Sequence, residues 1–200
     1  MEPDRTEFTD ELIAGRRAGP PGRMPDDMPP WMGALIYRID AASRIAGRII
    51  CWMLVPLMAA MVYEVVARKL FVAPTMWAYD ISRMLCGAMF MLGAGYALSK
   101  GVHIRADFLY RNWPPRRQGM VDAALYVLFY FPALIFFAWV SYEYAAVAWV
   151  RGERSMDTAW MAPLAPLRTA MPVGAVLLLV QGVSELLKSI YAIRSNRWPQ

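Results

Sequence analysis

Two pairs of oppositely charged residues stand inside apolar stretches, and they are the residues of this sequence best placed to do chemistry. Asp80 lies three positions before Arg83, and Glu64 lies four positions before Arg68. These spacings put each pair on one face of a helix. Because a charge inside a membrane is costly, such a pair marks either an ion or substrate contact or a structural ion pair. Both pairs lie near the end of a predicted helix, which favours the structural interpretation.

Few residues are available for enzymatic or cofactor chemistry. The sequence has one histidine, His103, two cysteines, Cys51 and Cys86, and no GxSxG, HExxH or phosphate-binding glycine motif. Two cysteines in apolar runs do not form a disulfide framework or a zinc spacing, and one histidine cannot supply both axial ligands of a haem. We therefore predict no enzymatic activity, no cofactor and no metal. The histidine is interpreted as a hydrogen-bonding group at an interface rather than a pH sensor.

The composition is typical of a membrane protein. Hydrophobic residues make up 58% and charged residues 18% of the 200 residues, against about half and about a quarter in soluble domains. A net charge of +5 would hint at nucleic-acid binding in a soluble protein, but here the basic residues cluster beside apolar runs. That distribution orients helices in a membrane, so nucleic acid is not an expected partner.

Four apolar segments, each near the length that crosses a core of about 30 Å, predict an all-α integral membrane protein. The tail at 1–30, which is rich in proline and acidic residues, is predicted to be disordered and cytoplasmic. Residues 31–200 are predicted to form one transmembrane domain. Its four transmembrane helices are expected at about 49–67, 77–99, 120–150 and 169–193.

Amphipathic segments are expected beside these spans. Trp31, Leu35 and Ile39 recur at helical spacing within 31–48, which predicts a helix that lies on the membrane or simply extends the first span. A second such segment is expected within 100–113. The connection at 151–168 is interpreted either as a membrane-hugging loop or as a docking surface.

Other residues predict details of the bundle. Pro56 and Pro132 lie inside spans and predict kinks. The second helix is rich in glycine and alanine, so we expect it at the centre of the bundle. Glu143 and Glu185 lie near helix ends and are expected at the membrane interface rather than buried.

The basic residues of the connecting segments predict the orientation. Eleven fall on the side of the two termini, and five fall on the opposite side. The positive-inside rule then places both termini in the cytoplasm and the chain, as a multi-pass protein, in a bacterial inner membrane. The richer side holds Arg38, Arg44, Arg48, Lys100, Arg105, Arg111, Arg116, Arg117, Lys188, Arg194 and Arg197, and the poorer side holds Arg68, Lys69, Arg151, Arg154 and Arg168.

Several short motifs resemble one family of membrane proteins. They are RKLFVAPTMWAYDISR at 68–83, GAMFMLGAGYAL at 87–98, HIRAD at 103–107, ERS at 153–155 and MPVG at 171–174. In order and spacing, the chain over roughly 40–193 resembles the small permease subunit, of the DctQ type, of tripartite ATP-independent periplasmic (TRAP) transporters. The candidate subunit-interface or structural residues are Glu64, Arg68, Trp77, Asp80, Arg83, His103, Arg105, Asp107, Glu153 and Ser155.

The resemblance implies a non-catalytic subunit of a secondary active uptake system. In this family a large membrane subunit moves the solute by symport, coupled to sodium, after a soluble periplasmic protein has captured it. The small subunit packs against the large one and braces its static scaffold. Typical solutes are carboxylates, such as four-carbon dicarboxylates. The expected partners are the large permease subunit, the periplasmic substrate-binding protein and membrane lipids.

Two other functions are compatible with the residues. The chain could form a small channel or transporter by homo-oligomerisation, with Asp80, Arg83 or Glu64 lining a pore. It could also anchor a redox complex and share a haem or quinone site with a partner. No inverted repeat of the kind found in many complete transporters is evident, and the single histidine argues against the redox anchor.

Overall fold

Six helices form four antiparallel spans in the computed structural model, which describes residues 29–100 and 114–195. A π-helical turn at Tyr126–Tyr130 separates the fourth and fifth helices. Each span is long and apolar enough to cross a membrane, so the predicted all-α, four-span fold is confirmed. The helices are α1 (Pro30–Trp52), α2 (Leu54–Leu70), α3 (Trp77–Ser99), α4 (Pro115–Leu125), α5 (Phe131–Arg151) and α6 (Ala165–Ser195).

The bundle has two ends that differ in what they carry. The connections at 71–76 and 152–164 lie at one end, here called the loop end. The start of α1, the end of α3, the start of α4 and the end of α6 lie at the other, here called the terminal end. The first span begins at Pro30 rather than 49, the third begins at Pro115 rather than 120, and the last runs from Ala165 to Ser195 rather than over 169–193.

The helical hydrogen bonding changes just before Pro56 and Pro132, the two prolines that predicted kinks. Proline has no N–H to bond the carbonyl four residues earlier, and its ring collides with that carbonyl. For Pro56 the carbonyl belongs to Trp52, and α1 gives way to α2 at Met53. For Pro132 the carbonyl belongs to Leu128, which lies inside the π-helical turn. Both breaks therefore have a local cause in the sequence.

The centre of the bundle is α6, which corrects the expectation that α3 would lie there. α6 packs against α3, α4, α5 and α1, whereas α3 packs against α6, α1 and α2. The buried positions of α6 explain this arrangement, because nearly all are small or polar and let several helices approach at once. They are Ala165, Ala170, Gly174, Ala175, Gln181, Gly182, Ser184, Glu185, Ser189, Tyr191 and Ala192.

The residues of α1 that face the bundle are each one position along from the apolar residues on which the helix was predicted. Trp31 and Leu35 of that stripe are exposed, whereas Met32 and Ile36 are buried. These two residues pack against Tyr191 of α6. α1 thus extends the first span and packs against α6. Its stripe of Trp31 and Leu35 stays exposed on the outside of the bundle.

Candidate functional site

A cluster of five polar residues ties the start of α3 to the connection at 152–164. This loop-end cluster consists of Asp80, Arg83, Ser155, Asp157 and Thr158. Asp80 is fully buried in the first turn of α3 and accepts a hydrogen bond from the Thr158 hydroxyl. Arg83 pairs with Asp157 and donates to Ser155 Oγ at 3.1 Å.

The pairing predicted between Asp80 and Arg83 is present but is the weaker contact of both residues. Arg83 Nη2 lies 3.9 Å from Asp80 Oδ1, a separation at which charges attract without a hydrogen bond. Asp80 Oδ1 and Arg83 Nε are buried and have no hydrogen-bond partner among the residues that the structure describes. The closer contacts of both side chains are therefore with the loop, and the long contact between them places the Arg83 charge near the buried carboxylate.

The connection at 152–164 is a folded loop. Gly152 ends α5 in the left-handed conformation, at a φ of 58°, which glycine adopts without steric cost. The Ser155 N–H then donates to the Ala162 carbonyl at 2.7 Å, and the Leu164 N–H donates to the Glu153 carbonyl at 3.0 Å. These bonds bring the two ends of the loop side by side and present Ser155 to Arg83.

A second ion pair fixes the other end of the same loop. Glu153 pairs with Arg168 in the first turns of α6. The Arg168 guanidinium also lies 3.8 Å from the centre of the Tyr144 ring of α5, a favourable cation–π geometry. Of the predicted candidates, Glu153 and Ser155 thus act in one loop, each bound to a different helix.

The second predicted pair organises the short connection between α2 and α3. Arg68 donates to Glu64 at 2.6 Å, and the Thr75 N–H donates to the other carboxylate oxygen of Glu64 at 2.9 Å. The rings of Tyr63 and Trp77 lie 5.5 Å apart across the same connection. Glu64 therefore holds a turn in place, and it lies apart from Asp80 and Arg83 rather than forming one site with them.

A second cluster, at the terminal end, was not predicted from the sequence. This terminal-end cluster consists of Asp40 and Ser43 of α1 with Gln181, Ser184, Glu185 and Lys188 of α6. Lys188 lies 2.8 Å from Asp40 and 2.9 Å from Glu185. Asp40 also accepts hydrogen bonds from Gln181 at 2.9 Å and from Ser184 at 2.8 Å.

The sequence did contain a signal for this second cluster. Gln181, Ser184, Glu185 and Lys188 follow one another at spacings of three, one and three, so they form a polar stripe on one face of an apolar helix. Asp40 lacks a comparable signal, because it lies 148 positions from Lys188. Ser43 completes the contact through a 2.6 Å hydrogen bond to Gln181.

Two glutamates expected at the interface behave differently. Glu185 is buried, at 2% exposure, so the expectation for it was wrong. The reason is Lys188, which lies one turn further along α6 and supplies the compensating charge. Glu143 is exposed on α5 and accepts a hydrogen bond from Trp139 at 2.9 Å.

The two clusters join helices to one another and to the connection at 152–164. In the part of the chain that the structure describes, no three His, Cys, Asp or Glu side chains come together to hold a metal ion. The buried carboxylates of Asp80 and Glu185 lie beside Arg83 and Lys188, respectively. His103, Arg105 and Asp107 lie outside the described residues.

The fold and these clusters define a class: a four-span membrane protein whose buried charges bind its helices and loops to one another. The family model described as "Tripartite ATP-independent periplasmic transporters, DctQ component" matches residues 57–191. The chain therefore belongs to the DctQ family, as its motifs predicted. The matched range runs from α2 into α6 and leaves the first 56 residues outside it. The comparison with curated proteins returns no match.

Proposed function

We propose that the chain is the non-catalytic small membrane subunit of a TRAP uptake system and braces its large permease subunit. One observation carries the proposal beyond the family: the buried carboxylates of Asp80 and Glu185, at opposite ends of the bundle, each lie beside a cation of the same chain. A transport path needs polar groups that face a passage. Groups already occupied by partners within the same chain suit a fixed support better.

The arrangement of contacts supports a static role. At the loop end, Arg83 and Arg168 bind the connection at 152–164 to α3 and α6. At the terminal end, Lys188 binds α1 to α6 through Asp40. A bundle joined at both ends resists sliding of its helices, which is what a large subunit that moves against a scaffold requires of its support.

The outer surface offers room for a large partner. Most residues of α2 and α5 are exposed in the isolated chain, including the large apolar side chains of Met58, Val62, Phe136 and Trp139. Monomeric soluble proteins rarely expose apolar patches of this extent. We infer that lipids cover part of this surface and the large permease subunit covers the rest.

The remaining features of the system follow from the family resemblance and from charge. We propose secondary active symport, coupled to sodium, of carboxylate solutes such as dicarboxylates, delivered by a periplasmic binding protein to the assembled permease. We also propose that the chain lies in the inner membrane with both termini cytoplasmic, because the terminal end carries the larger share of basic residues.

Affinity purification tests the accessory role. The tagged chain would be isolated from its native membranes in mild detergent, and the proteins that accompany it would be identified by mass spectrometry. A large polytopic membrane protein in stoichiometric amount is the expected result. A pure homo-oligomer that conducts ions in liposomes, or a preparation with haem absorption, would contradict the proposal.

A further inference from the structure

Glu143 places a carboxylate inside a membrane span, with a single partner in the part of the chain that the structure describes. It lies eight residues before Arg151, or about 12 Å inside the end of α5 at 1.5 Å per residue. Its one hydrogen bond comes from Trp139 Nε1 at 2.9 Å. Among the residues that the structure describes, no cation pairs with it, in contrast to Asp40 and Glu64.

The helix geometry directs this carboxylate away from the rest of the bundle. The buried residues of α5 are Ser141, Ala145 and Ala148. Glu143 is two residues from both Ser141 and Ala145, which at 100° per residue puts it about 200° around the helix from each. Glu143 is accordingly exposed, and among the residues that the structure describes no helix packs on that side to compensate its charge.

Large apolar side chains surround Glu143 on the same side of α5. Phe136 is 72% exposed and Trp139 is 67% exposed, and Val150 continues the stripe toward the loop end at 86%. Together with Val147, these residues and Glu143 are here called the Glu143 face. Aromatic side chains of this kind are enriched at the centres of protein interfaces.

The negative charge of Glu143 limits which molecule can cover this face: lipid, a second copy of the chain or a different protein. Lipid tails would leave the carboxylate facing hydrocarbon, which is costly inside a bilayer. A second copy of the chain, bound through the same face by two-fold symmetry, would bring one Glu143 close to the other, and like charges at short range repel. A different protein that presents a cation satisfies both the carboxylate and the aromatic residues.

We propose that the Glu143 face docks on the large permease subunit and that a basic side chain of one of its transmembrane helices binds the Glu143 carboxylate. This inference rests on the proposed function and assigns the contact surface within it. The ion pair is shielded from water by the surrounding aromatic residues, where the attraction between charges is stronger than in solution.

Charge reversal in the assembled complex tests the proposal. Glu143→Lys is expected to reduce the large subunit recovered with the tagged chain about tenfold, or about 1.4 kcal/mol. Val62→Lys is the matched control, because Val62 is exposed on α2 and also lies eight residues before the helix end, at Leu70. Recovery with the Val62 variant should stay within about twofold of the parent. Equal losses in the two variants would overturn the assignment of this face.

Photo-crosslinking distinguishes the possible occupants. A photoreactive benzoylphenylalanine in place of Trp139, in the intact complex, should give an adduct with the large subunit. An adduct between two copies of this chain, or adducts with lipid alone while the large subunit still co-purifies, would overturn this inference and leave the proposed function standing. Absence of the large subunit from the parent preparation would overturn both.

Discussion

At the scale of single residues, one cation can compensate more than one buried or half-buried carboxylate. Lys188 neutralises two carboxylates at once, one on α1 and one on its own helix. Removal of a single partner from a buried ion pair is far more damaging than replacement of the whole pair, because an uncompensated charge is left behind. Lys188 is therefore the residue of the terminal-end cluster whose loss should matter most.

Lys188→Met is expected to lower the free energy of unfolding by about 3 kcal/mol, because Asp40 and Glu185 would lose their common cation. Unfolding in mixed detergent and SDS, followed by tryptophan fluorescence, measures this. Arg48→Met is the control: it removes the same charge from an exposed site on α1 and should change stability by no more than about 0.5 kcal/mol. Similar losses in both variants would contradict a structural role for Lys188.

The charged pairs also show what the sequence could and could not predict. Asp80–Arg83 and Glu64–Arg68 were found because helical neighbours can be read from spacing alone. The stronger contacts of these charged residues were not predicted. They are made by Asp157, Thr158 and Thr75, which lie in loops whose geometry cannot be read from sequence spacing. Likewise, the burial of Glu185 depends on how α1 meets α6, which no local pattern describes.

At the scale of helices and loops, hydropathy predicted the four spans, but it did not predict which helix lies at the centre of the bundle. The glycine content of α3 suggested that it lies at the centre. Close packing depends instead on whether each glycine faces another helix. A Cβ at Gly174 of α6 would lie 2.5 Å from the Met91 carbonyl oxygen of α3, whereas Gly93 of α3 has nothing within 4 Å. Only the first of these two glycines brings helices together.

Gly174→Ala is accordingly expected to destabilise the bundle by about 1–3 kcal/mol, because the added methyl group meets the backbone of α3 and must push the helices apart. Gly93→Ala adds the same methyl group to open space and should be neutral or slightly stabilising. The same SDS titration compares the two. An equal cost at both positions would show that backbone flexibility, not close packing, is the property that matters.

The loop-end cluster gives a prediction about order in the connection at 152–164. Arg83→Gln removes the charge that holds Asp157, so the amides of Ser155 and Leu164 should exchange with deuterium about tenfold faster. The exposed pair with Asp157 contributes at most about 1 kcal/mol, but Arg83 also faces the buried Asp80, and loss of both contacts is enough for this change. Arg154→Gln serves as the control, because among the described residues the Arg154 side chain makes a single hydrogen bond, a long one of 3.5 Å within the loop. Unchanged exchange in the Arg83 variant would mean that the loop is held by its backbone alone.

At the scale of the whole molecule, the orientation in the membrane decides which partner meets which surface. If the terminal end is cytoplasmic, the folded loop at 152–164 faces the periplasm, on the side from which a substrate-binding protein would approach. The unequal distribution of basic residues between the two ends supports this orientation. The Glu143 face would then lie in the outer half of the membrane.

Labelling of single cysteines in intact cells tests the orientation. In a variant with both native cysteines replaced by alanine, Met156→Cys places a thiol on the loop, where the native side chain is 95% exposed. A membrane-impermeant maleimide should label it in intact cells. Lys100→Cys, at an exposed position of the terminal end, should be labelled only after the cells are lysed. The reverse pattern would place the loop in the cytoplasm, and a periplasmic protein could then not contact it.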